Sequence, residues 1–127
     1  MATTSARISN NIYWLALSLT PGLGPTRGRK LRERFSTVQD IFHASLTELE
    51  AENLQAQSAQ HIALGKSLEL AHDEMAKAAA AQVQILCRDD GAWPARLNEI
   101  YDPPLVLYVR GNAEALARPG IAIVGTR

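Results

Sequence analysis

Two glycine-bearing segments hold the residue types from which a phosphate-binding site can be built. The first is Leu19-Thr20-Pro21-Gly22-Leu23-Gly24, followed by a segment of helical spacing that carries Gly28 and Leu31. Gly22 and Gly24 let the backbone turn tightly, and without a Cβ their N–H groups can approach a phosphate. The N-terminus of the following helix, where Thr26 lies, adds a partial positive charge. Arg27 and Lys30, three residues apart, share one face of that helix and can flank the phosphate, and Arg34 extends the row. The second segment is Ile121-Ala122-Ile123-Val124-Gly125-Thr126-Arg127. An apolar strand, then a glycine, then a hydroxyl residue is how a phosphate-binding loop begins at the end of a parallel strand, which makes Gly125 and Thr126 candidates.

Each segment also has a plainer reading. The first serves as a tight turn between packed helices with a solvated basic face, and the second as a core strand ending in an ordinary turn. Other reactive residues offer less. His43, His61 and His72 are widely spaced and no Cys or acidic cluster frames them at metal-ligand spacing, so no metal site is expected. Asp89-Asp90-Gly91 reads as a turn, since adjacent carboxylates diverge. Cys87 lies in an apolar strand and reads as inert core. Tyr13 and Trp14 are placed to pack rather than to stack on bases. No serine or threonine has a nucleophile-elbow setting. No catalytic residue and no cofactor is expected. A nucleotide-using enzyme would need a glycine-rich pattern after Gly125, which the sequence does not supply.

The elements that must position these residues fall into two sets. With 127 residues, 46% of them hydrophobic, the chain has room for one ordinary domain or two small ones and is too apolar to be disordered. Thirteen basic residues balance thirteen acidic ones, which excludes an overall basic footprint but not a local one. Arg27, Arg29, Lys30, Arg32 and Arg34 face the single acid Glu33, whereas between Gln39 and Glu74 seven acids face Lys66 alone. A lone cysteine forbids an internal disulfide. Met1 to Asn10 lack the apolar core of a signal peptide, and no apolar stretch is long enough to span a bilayer, so a cytoplasmic protein is expected.

Residues 1–82 read as a compact all-α bundle. Ile8, Ile12, Leu15 and Leu19 repeat at helical spacing; a second helix from Pro25 turns Gly28, Leu31 and Phe35 inward. A third follows Thr37 with Val38, Ile41 and Phe42. A fourth starts at Ser45, which has capping-box spacing to Glu48. Leu64, Leu68, Ala71, Met75 and Ala78 form one apolar stripe. Residues 83–127 change pattern: a strand through Val83, Ile85 and Cys87, a short helix or turn after Trp93-Pro94, a strand over Leu105 to Val109, and a near-continuous apolar strand over Ile121 to Val124 of the kind buried in a parallel sheet. That second unit is expected to be incomplete, since no helix follows to cover its last strand. The fold class expected is α+β overall.

Three segments in order carry a family resemblance: YWLALSLTPGLGPTRGRKLRERF, DDGAWPARLNEIYDPPLVLYVRGN and IAIVGTR. Together they resemble the start of the DprA (Smf) family, with Trp93 standing where tyrosine is more familiar. The first segment is also similar to helix-hairpin-helix elements at large. The resemblance implies an N-terminal helical domain like a sterile alpha motif at 1–82. It also implies a Rossmann-like domain beginning at 83–127, and often a winged-helix domain beyond. It implies single-stranded DNA and the RecA recombinase as partners, homodimerisation through the Rossmann-like domain, no membrane, and a role in natural transformation without catalysis. It makes Gly125, Thr126 and Arg127 the start of a phosphate-contacting loop, with Arg127 matching a DNA-contacting arginine. The alternative is that the helical part is a protein-interaction or regulatory module with no DNA binding of its own.

Overall fold

The computed structural model describes residues 4–121, 123 and 125, with side chains described from residue 10 onward. Helix α1 (Thr4–Ser18) is its hub. Trp14, Leu15, Ala16 and Leu17 are buried in succession, so the helix is covered on all sides over this one turn. It packs against α2 (Gly24–Arg34), α3 (Val38–Ile41), α6 (Lys66–Ala80) and both strands, β1 (Gln84–Cys87) and β2 (Val106–Val109). The remaining helices are α4 (Leu46–Glu50) and α5 (Ala56–Ala63).

Local chemistry explains most of the boundaries. Ser45 and Glu48 form the expected capping box at the start of α4, the serine hydroxyl accepting from Glu48 N at 3.1 Å and Glu48 Oε1 accepting from Ser45 N at 3.2 Å. Thr37 and Asp40 form a second one at α3, also reciprocal. Gly65, at φ +79°, breaks the chain between α5 and α6. Leu64 therefore lies outside α6 and is 68% exposed, rather than heading the apolar stripe that Leu68, Ala71, Met75 and Ala78 do form. The stripe is completed by Ser67, fully buried, whose hydroxyl lies 2.7 Å from that of Thr20.

The two strands pair antiparallel, Gln84 opposite Val109 through Cys87 opposite Val106. Ile85 and Cys87 face the helices and join one continuous cluster with Trp14, Leu31, Ile62, Ala71, Leu105 and Val106. Leu86 points the other way, onto Trp93 and Ala113, which explains why three successive residues of β1 are buried. Between the strands the chain makes a 3-10 turn (Ala95–Glu99), and a second one (Ala113–Ala117) follows β2. The result is a set of helices with a small antiparallel sheet, an α+β arrangement, and apolar packing runs unbroken across residue 82.

The buried strand expected over residues 121–124 is not seen. Ile121 and Ile123 are each 93% exposed and have no strand conformation, and the rest of that segment lies outside the described residues. An apolar run becomes a buried strand only where neighbours supply ladder hydrogen bonds and a covering layer; among the described residues neither flanks this one.

A polar joint fastens α1 to the turn after β1. Asn11 Nδ2 donates to Ile85 O (3.0 Å) and Asp90 Oδ2 (3.1 Å), and Trp14 Nε1 donates to Asp89 Oδ2 (2.9 Å). Asp90 Oδ2 also accepts from Cys87 N at 2.8 Å. Asp89 and Asp90 thus stand in a turn, as their sequence indicates, and each holds a partner more than seventy residues away. The Cys87 thiol donates to Asn11 Oδ1 inside this joint, and burial, the largest cause, pushes its pKa up to about 12, so it stays a thiol.

Candidate nucleic-acid interface

The turn between α1 and α2 is anchored from beneath. Leu23 is buried, and Thr20 Oγ1 donates to Ala16 O at 2.8 Å. Ser58 Oγ, from α5, donates to Pro21 O at 2.6 Å. Gly22, at φ +78°, passes so close to α5 that a Cβ there would stand 2.4 Å from Gln55 Oε1. Gly24, at φ +72°, has open space around it. One side of the turn is therefore seated on α5, and the other leads into the exposed start of α2.

The basic residues of α2 divide between two faces. Arg27, Lys30 and Arg34 line a groove of about 380 Å³ with Leu31, Glu52, Asn53 and Leu54. Arg27 Nη1 reaches back to Gly22 O at 3.4 Å, Lys30 is exposed, and Arg34 Nε pairs with Glu52 Oε1 at 2.9 Å. On the other face Thr26 Oγ1 donates to Asp102 Oδ1 at 2.9 Å, and Arg29 pairs with the same oxygen at 3.1 Å and donates to Pro103 O. These bonds, first from Thr26 and then from Arg29, hold the Asp102 carboxyl below the usual carboxylate range. Between them Gly28 packs on Leu105, whose Cδ1 would lie 2.7 Å from a Cβ at that position.

Of the residues marked in the sequence, Gly22, Arg27 and Lys30 come together around the hairpin, and Gly24 sits at its open edge. Thr26 belongs to the other face, its hydroxyl occupied by Asp102. Gly125 is exposed with open space where a side chain would stand, while Thr126 and Arg127 lie outside the described residues. Tyr13 packs on the ring of Phe42 at a centroid distance of 5.4 Å and Trp14 is buried, so both belong to the core. Sequence reasoning missed Glu52, Asn53 and Leu54, the far wall of the groove. Asn53 has a left-handed backbone, φ 63°, a local signal that asparagine tolerates this conformation after a short helix. It missed Asp102 as well, because nothing local links that residue to α2. Among the described residues no helix is long and apolar enough to cross a membrane, and no three His, Cys, Asp or Glu residues gather to hold a metal.

A helical hairpin with an open basic face, joined to a small sheet, is an arrangement suited to contacts with a phosphate backbone. Comparison with known proteins shows what the chain is similar to. Residues 84–127 match the profile of DNA recombination-mediator protein A. The chain is 30% identical over 124 residues, 94% of its length, to the protein Smf of Synechocystis sp., of which it spans 31%. It is 45% identical over 38 residues, 30% of its length, to the DNA processing protein DprA of Streptococcus pneumoniae, of which it spans 14%. The chain is thus similar to DprA/Smf proteins along most of its length, and it spans less than a third of either relative. No solved structure matches it at a significant level.

Proposed function

We propose that this chain is part of a DNA-processing protein of the cytoplasm that binds single-stranded DNA and helps load a RecA-type recombinase during natural transformation, catalysing no reaction itself. In this reading residues 1–82 form a helix-hairpin-helix domain resembling a sterile alpha motif. Residues 83–127 begin a Rossmann-like unit whose loop at Gly125, Thr126 and Arg127 contacts phosphate and whose continuation forms the homodimer. The observation that carries the proposal is the row Arg27, Lys30 and Arg34 on the groove beside the hairpin, in a chain similar over 38 residues to a protein named for DNA processing. Cations on one helix face bind phosphates without reading bases, which suits a sequence-independent partner.

The test is a titration of a labelled single-stranded oligonucleotide at low and physiological salt, with Arg27→Ala/Lys30→Ala alongside. Binding that weakens with salt and is lost in the double variant supports a contact at the hairpin. Salt-sensitive binding that ignores the double variant moves the contact to the Gly125 loop, and binding insensitive to salt contradicts the phosphate reading altogether.

A second reading, that the helical part docks a protein partner, draws on the tethering of the hairpin onto α5 through Ser58 and on the exposed acids Glu48 and Glu50. Charge reversal at Glu48 and Glu50, which lie outside the groove, that abolishes a pulldown while leaving DNA binding intact would favour it.

A further inference from the structure

We infer that Glu52 is an intramolecular competitor for phosphate in the α2 groove, holding Arg34 in reserve until a DNA strand displaces it. This rests on the DNA-binding reading given above. Arg27, Lys30 and Arg34 share the groove, but their electrostatic situations differ. Among the described residues Lys30 is exposed, Arg27 donates to a backbone carbonyl, and of the three Arg34 alone is paired with a carboxylate. That carboxylate is the acidic residue of the groove wall.

The wall is set, and the arginine is the more exposed partner. Glu52 N donates to Leu49 O at 3.1 Å and Asn53 N donates to Glu50 O at 3.1 Å, so Glu52 stands on a hydrogen-bonded turn. Its side chain is 25% exposed, against 71% for Arg34. A carboxylate oxygen accepting from a guanidinium N–H occupies the position a phosphate oxygen would take. An exposed ion pair is weak, but so is one exposed arginine–phosphate contact, so the two compete on near-equal terms and a strand engages Arg34 only in part while Glu52 is present. Along the helix Arg27 and Arg34 are separated by roughly 10 Å of rise, which leaves room for more than one phosphate. The row therefore fits successive phosphates of a strand, and Glu52 decides whether the last of them is engaged.

The experiment is a double-variant cycle with Glu52→Gln and Arg34→Ala in the whole chain. It is read as affinity for a labelled single-stranded oligonucleotide across a salt series, with thermal melts confirming that each variant is folded. Glu52→Gln is expected to tighten binding several-fold and to steepen the dependence of log K on log salt by up to about 0.7, the contribution of one more single-strand phosphate contact. Arg34→Ala is expected to change the parent little and to cancel the gain in the Glu52→Gln background. An unchanged or weakened affinity in Glu52→Gln overturns the inference, as does a gain that survives Arg34→Ala. Arg27→Ala/Lys30→Ala separates the two levels. If that pair abolishes binding while Glu52→Gln is silent, only the competitor role fails. If binding ignores the pair, or if neither the parent nor Glu52→Gln binds, the hairpin contact and the inference fall together, and the Gly125 loop is left as the place for DNA.

Discussion

Along the eleven residues of α2, Thr26, Gly28 and Arg29 turn toward the segment that leads into β2, whereas Arg27, Lys30 and Arg34 turn toward an open groove. The first face is locked: Asp102 accepts from both Thr26 and Arg29, and Leu105 occupies the space a side chain at Gly28 would need. The Arg29 side chain is 17% exposed, against 71% for Arg34. Residues of one helix, and of one run of basic sequence, are thus divided between holding the molecule together and facing outward. The zero net charge of the chain conceals this division.

Gly28→Val strikes the locked face alone. A side chain there collides with buried Leu105, and overpacking of this kind costs about 1–3 kcal/mol, to be read from urea denaturation. DNA affinity per folded molecule should hold; a parallel loss of affinity at full stability would show that the two faces are not separable. Arg27→Ala/Lys30→Ala does the reverse. Stability should stay within about 0.5 kcal/mol of the parent, since both side chains are exposed, while salt-sensitive DNA affinity falls roughly tenfold or more.

Asp102→Asn probes the lock by pH. Because Thr26 and Arg29 lower the Asp102 pKa from 3.8, its contribution to stability is complete above that value. It is lost as pH falls below 3.8 toward the lowered folded value, so the acid limb of a denaturation series should be shallower in the asparagine variant. An identical acid limb would remove Asp102 from the lock. A separate probe concerns the joint between α1 and β1. With its pKa at about 12, Cys87 should react with iodoacetamide far more slowly than a free thiol at pH 8, and urea should restore the ordinary rate. Fast alkylation of the folded chain would mean that the joint opens readily.

What the sequence made legible was local. The Ser45–Glu48 capping box, the Pro21–Gly24 break, the Asp89–Gly91 turn and the strands around Ile85 and Leu107 depend on residues within a few positions of one another. The row Arg27, Lys30 and Arg34 was legible for the same reason, since helical spacing alone puts those residues on one face. The partners of Thr26 and Arg29 were not legible, because Asp102 lies more than seventy residues on and is brought there by packing of the whole core. Leu64 was misplaced because its spacing to Leu68 continues a helical stripe across Gly65, where the backbone turns left-handed. Ile121 and Ile123 have the composition of a buried strand, but composition states a preference and only neighbouring strands and a covering layer satisfy it.

The central claim is that DNA meets the open face of α2. The most direct measurement is the shift of backbone amide NMR signals on adding a short single-stranded oligonucleotide at low salt. The account predicts shifts concentrated at Gly24, Arg27, Lys30, Arg34 and the opposite wall at Glu52 and Asn53, with Asp102, Leu105 and the Asn11–Asp90 joint still. Shifts confined to the Asp102 face or to α5 and α6, with the groove residues unmoved, would contradict it.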